Sequence, residues 1–182
     1  MKAFKILVIL IIALGIIYYQ LDKHLFYYGK NDLHIYHLLP LKIEPEYRYP
    51  FEGGFALRDE YGFTIAAKGN TYPVNNEKIL INRVLKYGFN AKDLVAVVID
   101  ANKTKYYVKF TQDQKDNSEV DATMDVGNKL DNLKLYKWID IDGSDDYIRK
   151  LMRYRTYIMF VLIILFLTPI YKLVKYRKFG IR

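Results

Sequence analysis

The chain has 182 residues, 52% of them apolar, with 18 Tyr, no Cys and a formal net charge of +8. That length admits one ordinary domain of about 125 residues beside two apolar segments, and the missing cysteine excludes disulfides, thiolate catalysis and acylation of a Cys. Residues 22–150 hold 19 Lys and Arg against 20 Asp and Glu, so the folded part carries no positive field and nucleic acid is not an expected partner.

The other basic residues are Lys2, Lys5, Arg153, Arg155, Lys172, Lys175, Arg177, Lys178 and Arg182, all beside or beyond the two apolar segments. The first segment, Ile6 to Leu21, holds no charge and spans about 24 Å as a helix. That is slightly short of the roughly 30 Å hydrocarbon core, and flanking aromatic and basic residues make up the difference. Tyr18 and Tyr19 take the interfacial positions here. Ala13 and Gly15 are small enough for a signal-peptide cleavage site, but the apolar run continues through Tyr19, which favours an uncleaved signal-anchor over residues 1–21.

Residues 22–144 read as the domain. Phe26, Tyr27 and Tyr28 are expected at headgroup level. Leu41 to Tyr49 alternates strictly and predicts a half-buried strand, which Pro45 places at a sheet edge or a bulge. Gly53-Gly54 opens a hairpin with strands near 55–58 and 63–68. Asn75 or Asn76 caps a predicted helix running to about Tyr87, with Leu80, Ile81, Val84 and Leu85 as its stripe and Gly88 as its stop. Leu94 to Ile99 is a continuous apolar run, as in a central strand, and a turn at 101–104 returns it to Tyr106, Val108 and Phe110. Gln112 to Asn132 reads as a long acidic loop, and Leu133 to Ile139 as a last strand. Gly143 then turns, Ser144 caps, and Asp145 and Asp146 open a helix over 145–175 that runs into the second uncharged stretch, Thr156 to Tyr171. Tyr154, Tyr157 and Tyr171 take its interfacial positions, with Lys172, Lys175, Arg177 and Lys178 beyond; residues 176–182 form a basic tail.

The fold class that follows is α+β: two terminal transmembrane helices flanking one small domain with an antiparallel sheet and at least one packed helix. The basic flanks put both termini in the cytoplasm and the domain outside it, in the cytoplasmic (inner) membrane. Arg149, Lys150, Arg153 and Arg155, on the domain side of the second helix, pull the other way.

Trp138 and Ile139 lead into Asp140-Ile141-Asp142-Gly143-Ser144. This resembles the nucleophile motif of haloacid-dehalogenase-like phosphatases, which would make Asp140 the phosphoryl acceptor, Asp142 the acid/base and Mg²⁺ the cofactor. The match covers five residues, and the parallel domain and later motifs of that family would have to follow where a membrane helix stands. The alternative is a strand–turn–helix junction with an acidic start. Asp140, Asp142, Asp145 and Asp146 also admit an irregular divalent-ion site, although Gly and Glu do not fall at the positions of the usual calcium loop. His24, His34 and His37 lack a cysteine to complete a zinc set. Asn102-Lys103-Thr104 fits a glycosylation triplet and equally a hairpin turn. Only Ser118 and Ser144 are available as serine nucleophiles, outside any nucleophile elbow, and no phosphate-binding glycine loop occurs.

The reading is therefore a non-enzymatic binding or accessory module without a cofactor, either an envelope-complex subunit or an immunity-type protein. Its partners would be the bilayer and another envelope protein, with Tyr47 and Tyr49 as candidate contacts. The alternatives are an Mg²⁺-dependent phosphohydrolase and a small oligomeric channel, the latter disfavoured by helices without internal charges.

Overall fold

The computed structural model describes residues 2–33, 35–47, 54–74, 77–112, 120–126 and 133–179. It is α+β, with two long helices and antiparallel sheets. Helix α1 covers Lys2–Phe26 and α2 covers Asp145–Phe179. Both are long and apolar enough to cross a bilayer by length and composition.

Ten strands lie between them: β1 (Glu44–Tyr47), β2 (Phe55–Arg58), β3 (Thr64–Ala66), β4 (Thr71–Val74), β5 (Glu77–Leu80), β6 (Arg83–Phe89), β7 (Leu94–Ile99), β8 (Lys105–Gln112), β9 (Val120–Val126) and β10 (Lys137–Asp140). They form a sheet β1-β2-β3, a ribbon β4-β5 and a five-stranded sheet β10-β6-β7-β8-β9. The continuous apolar run of β7 is buried along its whole length at the centre of the largest sheet. Pro45, which has no N–H to give, sits on edge strand β1.

The helix predicted between Asn75 or Asn76 and Tyr87 is absent: Glu77–Leu80 and Arg83–Phe89 are strands, and the two Asn lie outside the described residues. The pairing of β6 with β7 shifts register between Val84 and Lys86. The bulge at Leu85 resets the alternation, so Val84 and Tyr87, three apart, are both buried in the core. That spacing imitates a helical stripe. Gly88 ends no helix; it lies opposite Trp138, whose indole would stand 2.8 Å from an added Cβ. The helical contribution to the core comes instead from the end of α1, through Phe26.

Other boundaries move. A short 3-10 turn at Pro40–Lys42 shortens the first strand to Glu44–Tyr47, and another at Leu133–Leu135 delays the last to Lys137–Asp140. The acidic stretch expected as a loop contains β9, paired with β8 along its length. Its alternation of Val120, Ala122, Met124 and Val126 with Asp121, Thr123 and Asp125 is a strand signal outweighed by the acidic composition. Phe26 is buried in the core, and the half-buried Tyr27 stacks on Phe89 at 5.6 Å, so both rings pack against the domain. Ser144 opens α2 through its carbonyl, which accepts from Ile148 N–H, while its hydroxyl donates to the Ile141 carbonyl.

Gly29 terminates α1. Its N–H donates to the Phe26 carbonyl and the Lys30 N–H to the Leu25 carbonyl, a Schellman ending with Gly29 at φ 66°. A Cβ there would stand 2.4 Å from the Tyr47 backbone nitrogen. Gly62, at φ 82°, has open space around it. Gly62→Ala should therefore lose only about 1–2 kcal/mol of left-handed strain, and Gly29→Ala clearly more, in denaturant unfolding of the detergent-solubilised chain. Equal losses would contradict the close approach of Gly29 to β1.

Candidate functional site

Two polar arrangements stand out, one where the helices meet the domain and one at the start of α2. In the first, Asp22 is fully buried one residue past the apolar run of α1. Because the Schellman turn reverses the chain, the following loop returns across α1, and the N–H groups of Asp32 and Leu33 donate to Asp22 at 2.8 and 3.0 Å. Arg155, the last residue before the uncharged stretch of α2, has a side chain 8% exposed. Its Nη1 lies 2.6 Å from Asp22 Oδ1 and 2.6 Å from the Lys30 carbonyl, and its Nη2 lies 2.9 Å from Asp32 Oδ1. The guanidinium fork thus ties both helices and the loop together, and the carboxylate it faces is already hydrogen-bonded twice. Burial, and secondarily the charge of Arg155, hold the Lys30 ammonium below its ordinary pKa.

The second is a cleft of about 290 Å³ between β1, β6 and the turn before α2. Tyr47, Lys68, Asn82, Arg83, Asp142 and Asp145 supply its polar wall. The Tyr47 hydroxyl donates to Asp145 Oδ1 at 3.1 Å, and Lys30 Nζ sits 4.2 Å from the Tyr47 ring centre. Burial, then the hydrogen bond to Asp145 and its charge, raise the Tyr47 phenol above its usual pKa. Arg83 pairs with Asp142 at 2.7 Å. A mixed-charge cleft of this kind suits a polar segment offering both donors and acceptors.

The structure brings Tyr47, Asp142 and Asp145 to one place; Tyr49 lies outside the described residues. Asp140 is near Tyr28 and raises its phenol pKa after burial and Tyr147, and Asp146 is paired with Arg149 at 2.5 Å. Among the described residues no group of three or more His, Cys, Asp or Glu could hold a metal ion. His24 shares a 3.0 Å hydrogen bond with the Tyr147 hydroxyl, and His37 lies 3.8 Å from Glu44; His34 is outside the described residues. Tyr18, Tyr19, Tyr154, Tyr157 and Tyr171 lie on the two helices. Tyr18 donates to Asp32 at 3.3 Å, while Tyr19 packs against Tyr36. The backbone of Lys172, Lys175, Arg177 and Lys178 continues α2, and their side chains are outside the described residues.

Sequence reasoning did not anticipate the Asp22–Arg155 pair. Its signal is positional: each residue is the charge bordering an apolar run. Lys68, Asn82 and Arg83 carry no such signal. These features describe an α+β domain mounted on two paired apolar helices. No protein-family model, curated protein or solved structure matches the chain.

The two ion pairs differ in burial, and that sets their worth. Arg155→Met strands a buried carboxylate and should lower stability by about 3–5 kcal/mol. Arg83→Met breaks a pair with side chains 55% and 47% exposed and should cost less than about 1 kcal/mol. Thermal unfolding in detergent would read both; comparable losses would contradict this ranking.

Proposed function

We propose that the chain is a non-enzymatic binding or accessory module, anchored by α1 and α2 in one cytoplasmic membrane with its domain outside the cytoplasm. The Asp22–Arg155 pair carries this reading. It joins the helices at the domain-side end of both uncharged stretches, so both apolar runs depart from one level. Below it, large side chains such as Ile9, Ile12, Phe160, Ile164 and Leu167 are exposed along the helices, an arrangement suited to lipid and costly in water.

The domain-side cations weigh less against this sidedness than their number suggests. Arg155 is matched by Asp22 and Asp32, and Arg149 by Asp146. A partner would meet the cleft lined by Tyr47, Lys68 and Asn82, as an envelope-complex subunit or a protein neutralised at the membrane would. Favouring binding over phosphoryl transfer, Asp142 is engaged by Arg83 and Asp140 does not line the cleft.

The absence of cysteine makes single-site labelling direct. A membrane-impermeant maleimide applied to intact spheroplasts should label Ala91→Cys, in an exposed turn of the domain, and spare Lys5→Cys until the membrane is opened. The reverse pattern would overturn the sidedness, and release of the chain by carbonate would overturn the anchoring. For the cleft, affinity capture from solubilised envelopes should recover a specific partner that Lys68→Glu loses. Capture unchanged by that substitution would exclude the cleft as the contact.

A further inference from the structure

We propose that the groove between α1 and α2 is a binding site for one anionic phospholipid, which rests on the reading of both helices as membrane-spanning. Beside the Asp22–Arg155 pair the two helices line a groove of about 630 Å³, within the ~300–1,000 Å³ range of ligand sites. Its walls are almost wholly apolar: Ile16, Ile17 and Leu21 from α1, Tyr157 and Ile158 from α2. His24, hydrogen-bonded to Tyr147, and Tyr154 form its upper rim. Such walls have little to offer a polar solute, whereas an acyl chain matches them.

The charge around this groove selects the headgroup. On α2, residues four apart stack on one face, and two adjacent rows descend toward the groove. One runs Arg149, Arg153, Tyr157, and the other Lys150, Tyr154, Ile158. The second passes from a cation through a ring to the apolar wall, and the first from two cations to the ring of Tyr157 in that wall. From Lys150 to Ile158 is about 12 Å along the axis, which separates a phosphate from the upper part of its acyl chains. A second groove, which shares Tyr157 with the first, is lined by Arg149, Met152, Arg153 and Thr156. Arg149 is partly satisfied by Asp146, and Lys150 lies over the Tyr154 ring at 6.0 Å. Arg153 is exposed and has no ion pair with an acidic side chain among the described residues. A phosphodiester at this level meets Arg153 and Lys150 while its chain enters between the helices. The domain-side cations that sit uneasily with charge-based sidedness gain a role on this account.

The test uses the full chain in detergent, with phosphatidylglycerol and phosphatidylcholine as probes and native mass spectrometry as the readout. Phosphatidylglycerol should bind at least tenfold more tightly than phosphatidylcholine, with one lipid retained per chain. The double substitution Lys150→Gln/Arg153→Gln should abolish the preference while the protein stays folded, since both side chains are exposed. Ile17→Trp, which fills the groove, should weaken retention of both lipids. Equal binding of the two lipids by the unaltered chain, a preference that survives the double substitution, or a second copy of the chain in place of the lipid would each overturn the site. Reconstitution into nanodiscs of either lipid reports on membrane anchoring separately, so a chain that enters both discs yet binds the two lipids equally in detergent refutes only the lipid site.

Discussion

A carboxylate withdrawn from water must be compensated where it stands, and Asp22 is the place where this chain meets that demand. The cost of burying a lone charge exceeds that of any other group here, and the structure answers it with two backbone N–H groups and a guanidinium. The donors come from two distant parts of the chain. To bring the Asp32 and Leu33 amides back over α1, the helix must end abruptly, which the left-handed Gly29 allows. To bring Arg155, α2 must lie against α1 at one height. The Gly29 carbonyl in turn accepts from Tyr47 N–H at 3.3 Å, tying β1 to the same junction. The polar pair thereby sets where the domain sits on the helices, a task that packing among interchangeable Ile and Leu side chains would specify poorly.

From that junction the order of the domain is intelligible. The aromatic side chains at the end of α1 pack on the domain: Phe26 joins Tyr36 in the core, Tyr27 stacks on Phe89, and the Tyr87 hydroxyl donates to the Tyr27 carbonyl at 2.7 Å. Burial raises the Tyr87 phenol well above its usual pKa, and that hydrogen bond satisfies its buried proton. β10 then leads through Ile141 into α2, whose first turn borders the cleft.

The sequence was most informative where one period ran uninterrupted. The long apolar helices, the buried β7, the hairpin after Gly54 and the edge position of Pro45 all follow from local pattern. It misled where a bulge broke the period: with Leu85 inserted, Val84 and Tyr87 share the core face of a strand at a spacing that mimics a helix. In β9, charge concealed an alternation whose partner strand supplies the missing stability. The sites were less legible. Tyr47, Asp142 and Asp145 were visible as residues, but their meeting depends on the return of β1 to the start of α2, and the roles of Arg83 and Asp22 depend on partners that local spacing does not reveal.

A double-mutant cycle on Asp22→Asn and Arg155→Gln, followed by unfolding of the full chain in detergent, tests the central interaction most directly. The account predicts strong coupling: each substitution alone is severe, and the pair together costs far less than their sum, because neither leaves a charge stranded against the other. Additive losses would mean that the two residues act independently, and the junction would then have to be explained by apolar packing alone.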